Sequence, residues 1–184
     1  MTDHGTVERL RAAALRLAAE HPDRELTVGS IVGEAGVNRE DFHRNASTPV
    51  QLLAEALGDE LLTQYDALDA GLPDADPEMR PRLALEHISR WMAVYGGPIR
   101  GELMAALRKT LFPPFRMINE EHLRRHPERL PQGISPDDDA AIEFLAAYVA
   151  GGGMAAIERW VEDPEPDVER GLALLLAAAP RFLH

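Results

Sequence analysis

Cysteine is absent from the 184-residue chain, which excludes disulfides, thiolate-bound zinc, iron–sulfur clusters and thiol nucleophiles together. Lysine is almost absent: Lys109 stands alone among 19 basic residues, the rest being arginine. Positive charge is short overall, because 31 acidic residues leave a formal net charge of −12. Such a chain does not coat nucleic acid by bulk charge, so any nucleic-acid contact requires a local basic face. No basic segment followed by an apolar one opens the chain, so no secretory leader is read there. The longest charge-free apolar run, Phe144–Ile157, has 14 residues, short of the ~20 that cross a bilayer. Together these absences predict a soluble cytoplasmic protein without a membrane partner.

With 45% hydrophobic residues the chain is able to bury a genuine core. Apolar residues recur at helical spacing, and no β-branched stretch alternates as a strand would. A first helix is expected over about Val7–Glu20, with Val7, Leu10, Ala14 and Leu17 on one face, ended by His21-Pro22. Thr27 is placed to cap a short second helix, and Gly36 sits where a turn requires a positive φ. Asn38 with Asp41, and Thr48-Pro49 with Gln51, have the spacing of reciprocal capping boxes opening a third and a fourth helix. The fourth continues to about Ala70. After an acidic, turn-forming break at Gly71–Pro77, helices are expected over Glu78–Tyr95 and Ile99–Thr110. Pro113-Pro114 is read as an interruption, with a further helix over Phe115–Arg125. Ser135-Pro136 opens a helix reaching Trp160 or Val161, and a last helix covers Val168–Ala179. The predicted class is all-α, with eight to nine helices.

Two short helices joined at Gly36 and braced by a preceding helix form a helix-turn-helix. The segment Thr27-Val28-Gly29-Ser30-Ile31-Val32-Gly33-Glu34-Ala35-Gly36-Val37-Asn38, followed by Phe42-His43-Arg44 and Leu52-Leu53, resembles the DNA-binding domain of the TetR family of transcriptional regulators. Ala12–Glu20 is similar to that family's first helix, so the resemblance covers about Val7–Leu57. It implies a DNA-binding domain over 1–57 and an effector-binding and dimerisation domain over 58–184. It also implies a homodimeric repressor on a palindromic double-stranded operator, released by a small apolar or amphipathic effector.

Carried over by position, Thr27 contacts phosphate at a helix start, while Asn38, Arg39 and Glu40 face the major groove and His43 and Arg44 lie near bases or backbone. Arg39 suits guanine and Asn38 suits adenine. The chain departs from the family where Glu40-Asp41 replaces a small pair, His43 a phosphate-binding tyrosine, Ala46 an aromatic and Pro49 a lysine. Residues 1–57 hold six arginines against nine acids, a net charge of −3. A second reading follows from that balance: the same fold kept as a ligand-binding or protein-interaction dimer with weakened or lost DNA binding.

In the second half, Trp91, Tyr95, Met104, Leu107, Phe112 and Phe115 cluster, with Phe144 and Tyr148 able to face them, as lining for an effector cavity. Arg90, His87 and Arg108 are candidate polar anchors. Gly151-Gly152-Gly153 through Ala156, then Trp160 and a Leu-rich final helix, look like the family's dimerising pair. The expected interface residues are Gly152, Gly153, Ala156, Trp160, Leu172 and Leu175. His122 and His126 share a helix face at metal-ligand spacing but lack an obvious third ligand, and Asp137-Asp138-Asp139 suits a helix dipole better than calcium. With no phosphate-cradling glycine loop, serine elbow or paired-acid motif, the reading is of a non-enzyme without metal or cofactor.

Overall fold

A computed structural model describes residues 4–71 and 78–180; most of the acidic break, 72–77, lies outside the described residues. Among those described there are helices and turns and no strand. The α-helices are α1 His4–Glu20, α2 Val28–Ala35, α3 Arg39–Asn45, α4 Pro49–Gly71, α5 Met79–Arg90, α6 Met92–Tyr95, α7 Arg100–Arg125, α8 Asp139–Val161 and α9 Val168–Ala178. A 3-10 turn, Pro127–Arg129, lies between α7 and α8. The all-α class expected from the sequence is the class observed. The described residues fall into two compact units, one within Met1–Ala67 and Arg90–Thr110, the other within Leu68–Ser89 and Leu111–His184.

In the first unit α1 packs against α2, α3 and α6. It does so through Leu10, Ala13, Ala14 and Ala18, all buried, the alanines leaving room for neighbouring helices to come close. Ile31 of α2 and Phe42 of α3 are fully buried; burying side chains of this size contributes roughly 1.5–3 kcal/mol each. Helix α2 starts where the Thr27 hydroxyl accepts from the Ser30 backbone N–H, 3.1 Å, while the Ser30 hydroxyl accepts from the Thr27 N–H, 3.2 Å. It stops at Gly36, whose φ of 63° is left-handed, with its N–H bonded to the Val32 carbonyl. A Cβ at Gly36 would meet open space, so Gly36→Ala adds backbone strain without a clash. We expect it to lower stability by roughly 1–2 kcal/mol, seen as a fall of a few degrees in Tm; an unchanged melting curve would contradict the strained turn.

Two expected capping boxes are only half formed. Asn38 Oδ1 accepts from the Asp41 N–H, 2.8 Å, but the Asp41 carboxylate turns to Arg44 instead of back to Asn38. Thr48 Oγ1 accepts from the Gln51 N–H, 3.0 Å, while the Gln51 amide reaches Glu55 and Thr110. The complete box, Thr27–Ser30, uses a serine where glutamate or glutamine is the usual signal.

Two helix boundaries differ from expectation in opposite directions. The helix expected over Glu78–Tyr95 ends at Arg90; Trp91, at φ −103° and ψ 14°, separates it from the short α6. The Trp91 indole N–H donates to the Glu60 carboxylate, 3.1 Å, and Val94 and Tyr95 are then buried. Tertiary contact therefore overrides a continuous helical pattern. At the close of α6, a Cβ on Gly97 would lie 2.9 Å from the Pro22 carbonyl, so this turn rests directly on the loop after α1. Conversely, α7 runs unbroken through Pro113-Pro114, although two prolines remove two helical N–H donors. Buried Leu103, Leu107, Leu111 and Leu123 hold the helix on either side, and the Asn119 side chain bonds the Phe115 carbonyl at 2.7 Å just beyond.

In the second unit Leu123, Ile142 and Ala146 form a buried cluster flanked by Leu130 and Leu145. Arg124–Asp139, 2.7 Å, and Arg116–Glu143, 2.9 Å, tie α7 to α8, and Arg82–Glu169 ties α5 to α9. Helix α8 starts three residues later than Ser135-Pro136 suggests. Ser135 makes a local turn to Asp137, and Asp138 is the cap, accepting from the Ala141 N–H at 3.1 Å. Trp160 packs on Gly171 and donates its indole N–H to the Asp167 carbonyl, 3.1 Å, closing α8 on α9.

Candidate nucleic-acid interface

Within residues 27–45 Ile31 and Phe42 are buried, Val28, Val32, Ala35, Val37, Asp41 and Asn45 are half-buried, and the rest are exposed. Thr27 is exposed at the N-terminus of α2 with its hydroxyl engaged in the cap. Asn38 begins α3, and its carbonyl oxygen is also committed to capping, at 2.8 Å from the Asp41 N–H. That bond takes one of the two lone pairs of the oxygen that a bidentate contact to adenine would use and fixes the side chain as a helix start.

Arg39 is exposed at the head of α3 and carries no ion pair among the described residues. Its guanidinium lies alongside the start of α2, 3.6 Å from where a Cβ would stand on Gly29. Arg44 is bound within its own helix, 2.9 Å from Glu40 and 2.9 Å from Asp41. The acidic pair that departs from the family pattern thus has a local partner. His43 is exposed and lies edge-on to the Phe42 ring, with centroids 5.5 Å apart. Of the other arginines here, Arg11 is paired with Asp59 and Glu55 of α4 and Arg16 with Glu34 of α2, while Arg9 donates only to the neutral Gly5 carbonyl and Thr6 hydroxyl.

The residues expected to line an effector cavity divide between the units. Trp91, Tyr95, Met104 and Leu107 belong to the first, and Phe112, Phe115, Phe144 and Tyr148 to the second. Tyr95 is buried, and burial together with the Glu60 carboxylate pushes its phenol well above the usual value. Phe144 and Tyr148 are 72% and 63% exposed, so within this chain they cover no enclosed cavity. Of the suggested anchors, Arg90 donates to Gln64 at 3.1 Å, His87 is fully buried and Arg108 is half-buried.

The expected interface residues also divide. Gly152 and Ala156 are exposed, Gly153, Trp160 and Leu175 are half-buried, and Leu172 is buried within the chain, while its neighbour Leu174 is exposed. A Cβ on Gly152 or Gly153 would meet nothing, whereas Gly151 faces the Phe112 ring. Phe144, Tyr148, Gly152 and Ala156 recur every fourth residue on the open side of α8, and Ala173, Leu174, Ala177 and Ala178 form the open side of α9. Spacing alone carried this stripe, but its exposure required the structure. Among the described residues α8 is also the one helix long and apolar enough to cross a membrane by length and composition.

His122 and His126 meet with ring centroids 4.7 Å apart. The Arg129 guanidinium stands 3.4 Å from His122 Nε2. Burial, His126 and Arg129 together lower the His122 pKa, and no group of three metal-ligating side chains occurs among the described residues.

No protein-family profile matches the sequence, and no curated protein matches it. Among solved structures, the chain is similar to one described as the fatty acid degradation regulator FadR from Bacillus halodurans, with a TM-score of 0.57 and 17% identity. The match covers 97% of this chain and 98% of that one. At that identity the likeness establishes a shared all-helical fold over nearly the whole length.

Proposed function

We propose that the protein is a DNA-binding transcriptional regulator of the TetR type, acting as a homodimer in the cytoplasm. The observation that carries the reading is Arg39: an exposed, unpaired guanidinium at the head of α3, in a helix-turn-helix whose starts and turn are capped. The fold shared with a solved regulator supports it. On this reading residues 1–57 bind the operator, and the remainder binds an effector and dimerises. The exposed apolar sides of α8 and α9 supply the dimer contact, because a patch of this kind on a soluble chain marks an interaction surface. Release from a palindromic operator follows if a small apolar or amphipathic effector prefers the dimer whose recognition helices no longer match successive major grooves.

A second reading is favoured by one observation, the neutralisation of Arg44 by Glu40 and Asp41. It keeps the dimer and the ligand but not useful DNA binding. The test is to incubate the protein with sheared DNA from its own genome, sequence the recovered fragments and follow affinity against salt. Enrichment of a palindromic site with steep salt dependence is the expected result. Arg39→Ala is expected to weaken that site by roughly 1–3 kcal/mol. No enrichment at low salt without added ligand would overturn the regulator reading in favour of the second.

A further inference from the structure

Within the first unit, α1, α4 and the segment 90–94 line an open groove of about 1100 Å³. None of residues 27–45 lines it, and of the expected effector residues it takes Trp91 and the anchor Arg90. Its apolar lining includes the exposed Ala12, the half-buried Leu15 and the buried Ala56 and Val94, and the half-buried Trp91 lines it as well. The rim is charged, and its charges are unequally satisfied. Arg11 is paired with Asp59 and Glu55, whereas Arg90 donates to the neutral Gln64 amide and has no carboxylate partner among the described residues. Glu8 faces His4 at 3.2 Å.

Glu60 differs. Its half-buried carboxylate accepts the Trp91 indole N–H at 3.1 Å and has no cationic partner among the described residues. An uncompensated negative charge therefore sits beside an aromatic side chain and an apolar lining. A carboxylate and an indole face attract the same kind of group, a cation, the ring through its quadrupole. The apolar lining accommodates a flat apolar body. Arg90, bonded to the neutral Gln64 amide, keeps its charge. Yet the three carboxylates Glu8, Asp59 and Glu60 outnumber the two guanidiniums Arg11 and Arg90 along the groove, which favours a cation over an anion. We propose that this groove binds an apolar organic cation, an aryl- or alkylammonium, with Glu60 as its counter-charge and Trp91 as its wall.

The probes are 1-naphthylmethylammonium, neutral 1-naphthylmethanol and 1-naphthylacetate, titrated calorimetrically into the full chain. A Trp160→Phe variant, read by fluorescence, isolates the signal of Trp91. The ammonium is expected to bind at least tenfold more tightly than the acetate and to change Trp91 emission. Glu60→Gln preserves the acceptor for the indole, so it should fold, which a melting curve checks. It should lose tenfold or more in affinity for the ammonium while binding the neutral alcohol as the parent does. Trp91→Phe, which keeps an aromatic face, should retain the charge preference. Failure of the ammonium to bind, equal binding of ammonium and acetate, or an ammonium affinity unmoved by Glu60→Gln would each overturn the assignment.

Discussion

A chain carrying both Tyr148→Glu and Leu174→Glu is expected to run as a monomer at concentrations where, on the proposed reading, the parent runs as a dimer. Both side chains are largely exposed, at 63% and 60%, so the substitutions leave the monomer's packing intact and its melting temperature nearly unchanged. In a two-fold interface each new carboxylate appears twice, and each is desolvated without a partner at a cost of several kcal/mol. The dimer should therefore weaken by roughly a thousandfold or more. Light scattering coupled to size exclusion reads the result directly. Operator affinity should collapse with it, because two recognition helices spaced for successive grooves bind together or poorly. A parent that is itself monomeric would remove the proposed role of the α8 and α9 faces, and so would a double variant that remains a dimer.

The second large effect concerns the acidic pair on α3. Glu40 and Asp41 hold Arg44 at 2.9 Å each, and on the proposed reading all three stand near phosphates. A surface carboxylate close to a phosphate is repelled by about 1 kcal/mol. Glu40→Gln with Asp41→Asn removes two such repulsions and frees Arg44. Affinity for the operator should rise roughly thirtyfold, about 2 kcal/mol. The slope of log affinity against log salt should steepen by about 0.9 as Arg44 gains one phosphate. Stability should move the other way by about 0.2–1 kcal/mol for each exposed pair lost. Tighter binding from a slightly less stable protein is a combination that general improvement in folding does not produce. A parent that binds DNA and a variant that binds it equally well would show that these carboxylates do not face the nucleic acid.

Much of the first unit was legible because its signals are local. A helix start needs a side-chain acceptor a few residues before an N–H, and Thr27, Asn38 and Thr48 each supply one. A tight exit needs a positive φ, and Gly36 takes it. What the same spacing could not disclose was where each capping side chain finds its second bond. Asp41 had two candidates, Asn38 behind it and Arg44 ahead, and an ion pair with a cation is stronger than a bond to a backbone N–H that water also satisfies.

The apolar stripe on α8 was legible as a pattern and ambiguous as a site. Phe144 and Tyr148 have the same character whether they close a cavity or face a partner, and periodicity on a helix says which residues share a side without saying what covers it. Leu172 and Leu174 show the same ambiguity two residues apart, one buried and the other 60% exposed. Only the rotation of α9 against α8, set by the Trp160 indole on the Asp167 carbonyl and on Gly171, separates them.

By itself the sequence determined the all-α class, the placement of the helix-turn-helix and the caps that open its helices, because these depend on contacts within four or five residues. Tertiary structure decided the rest. Trp91 breaks a helix because Glu60, 31 residues earlier, takes its N–H, whereas Pro113-Pro114 fails to break one because buried leucines on either side hold it. Local propensities differ by a few kcal/mol at most, and a handful of buried side chains from distant segments outweighs them.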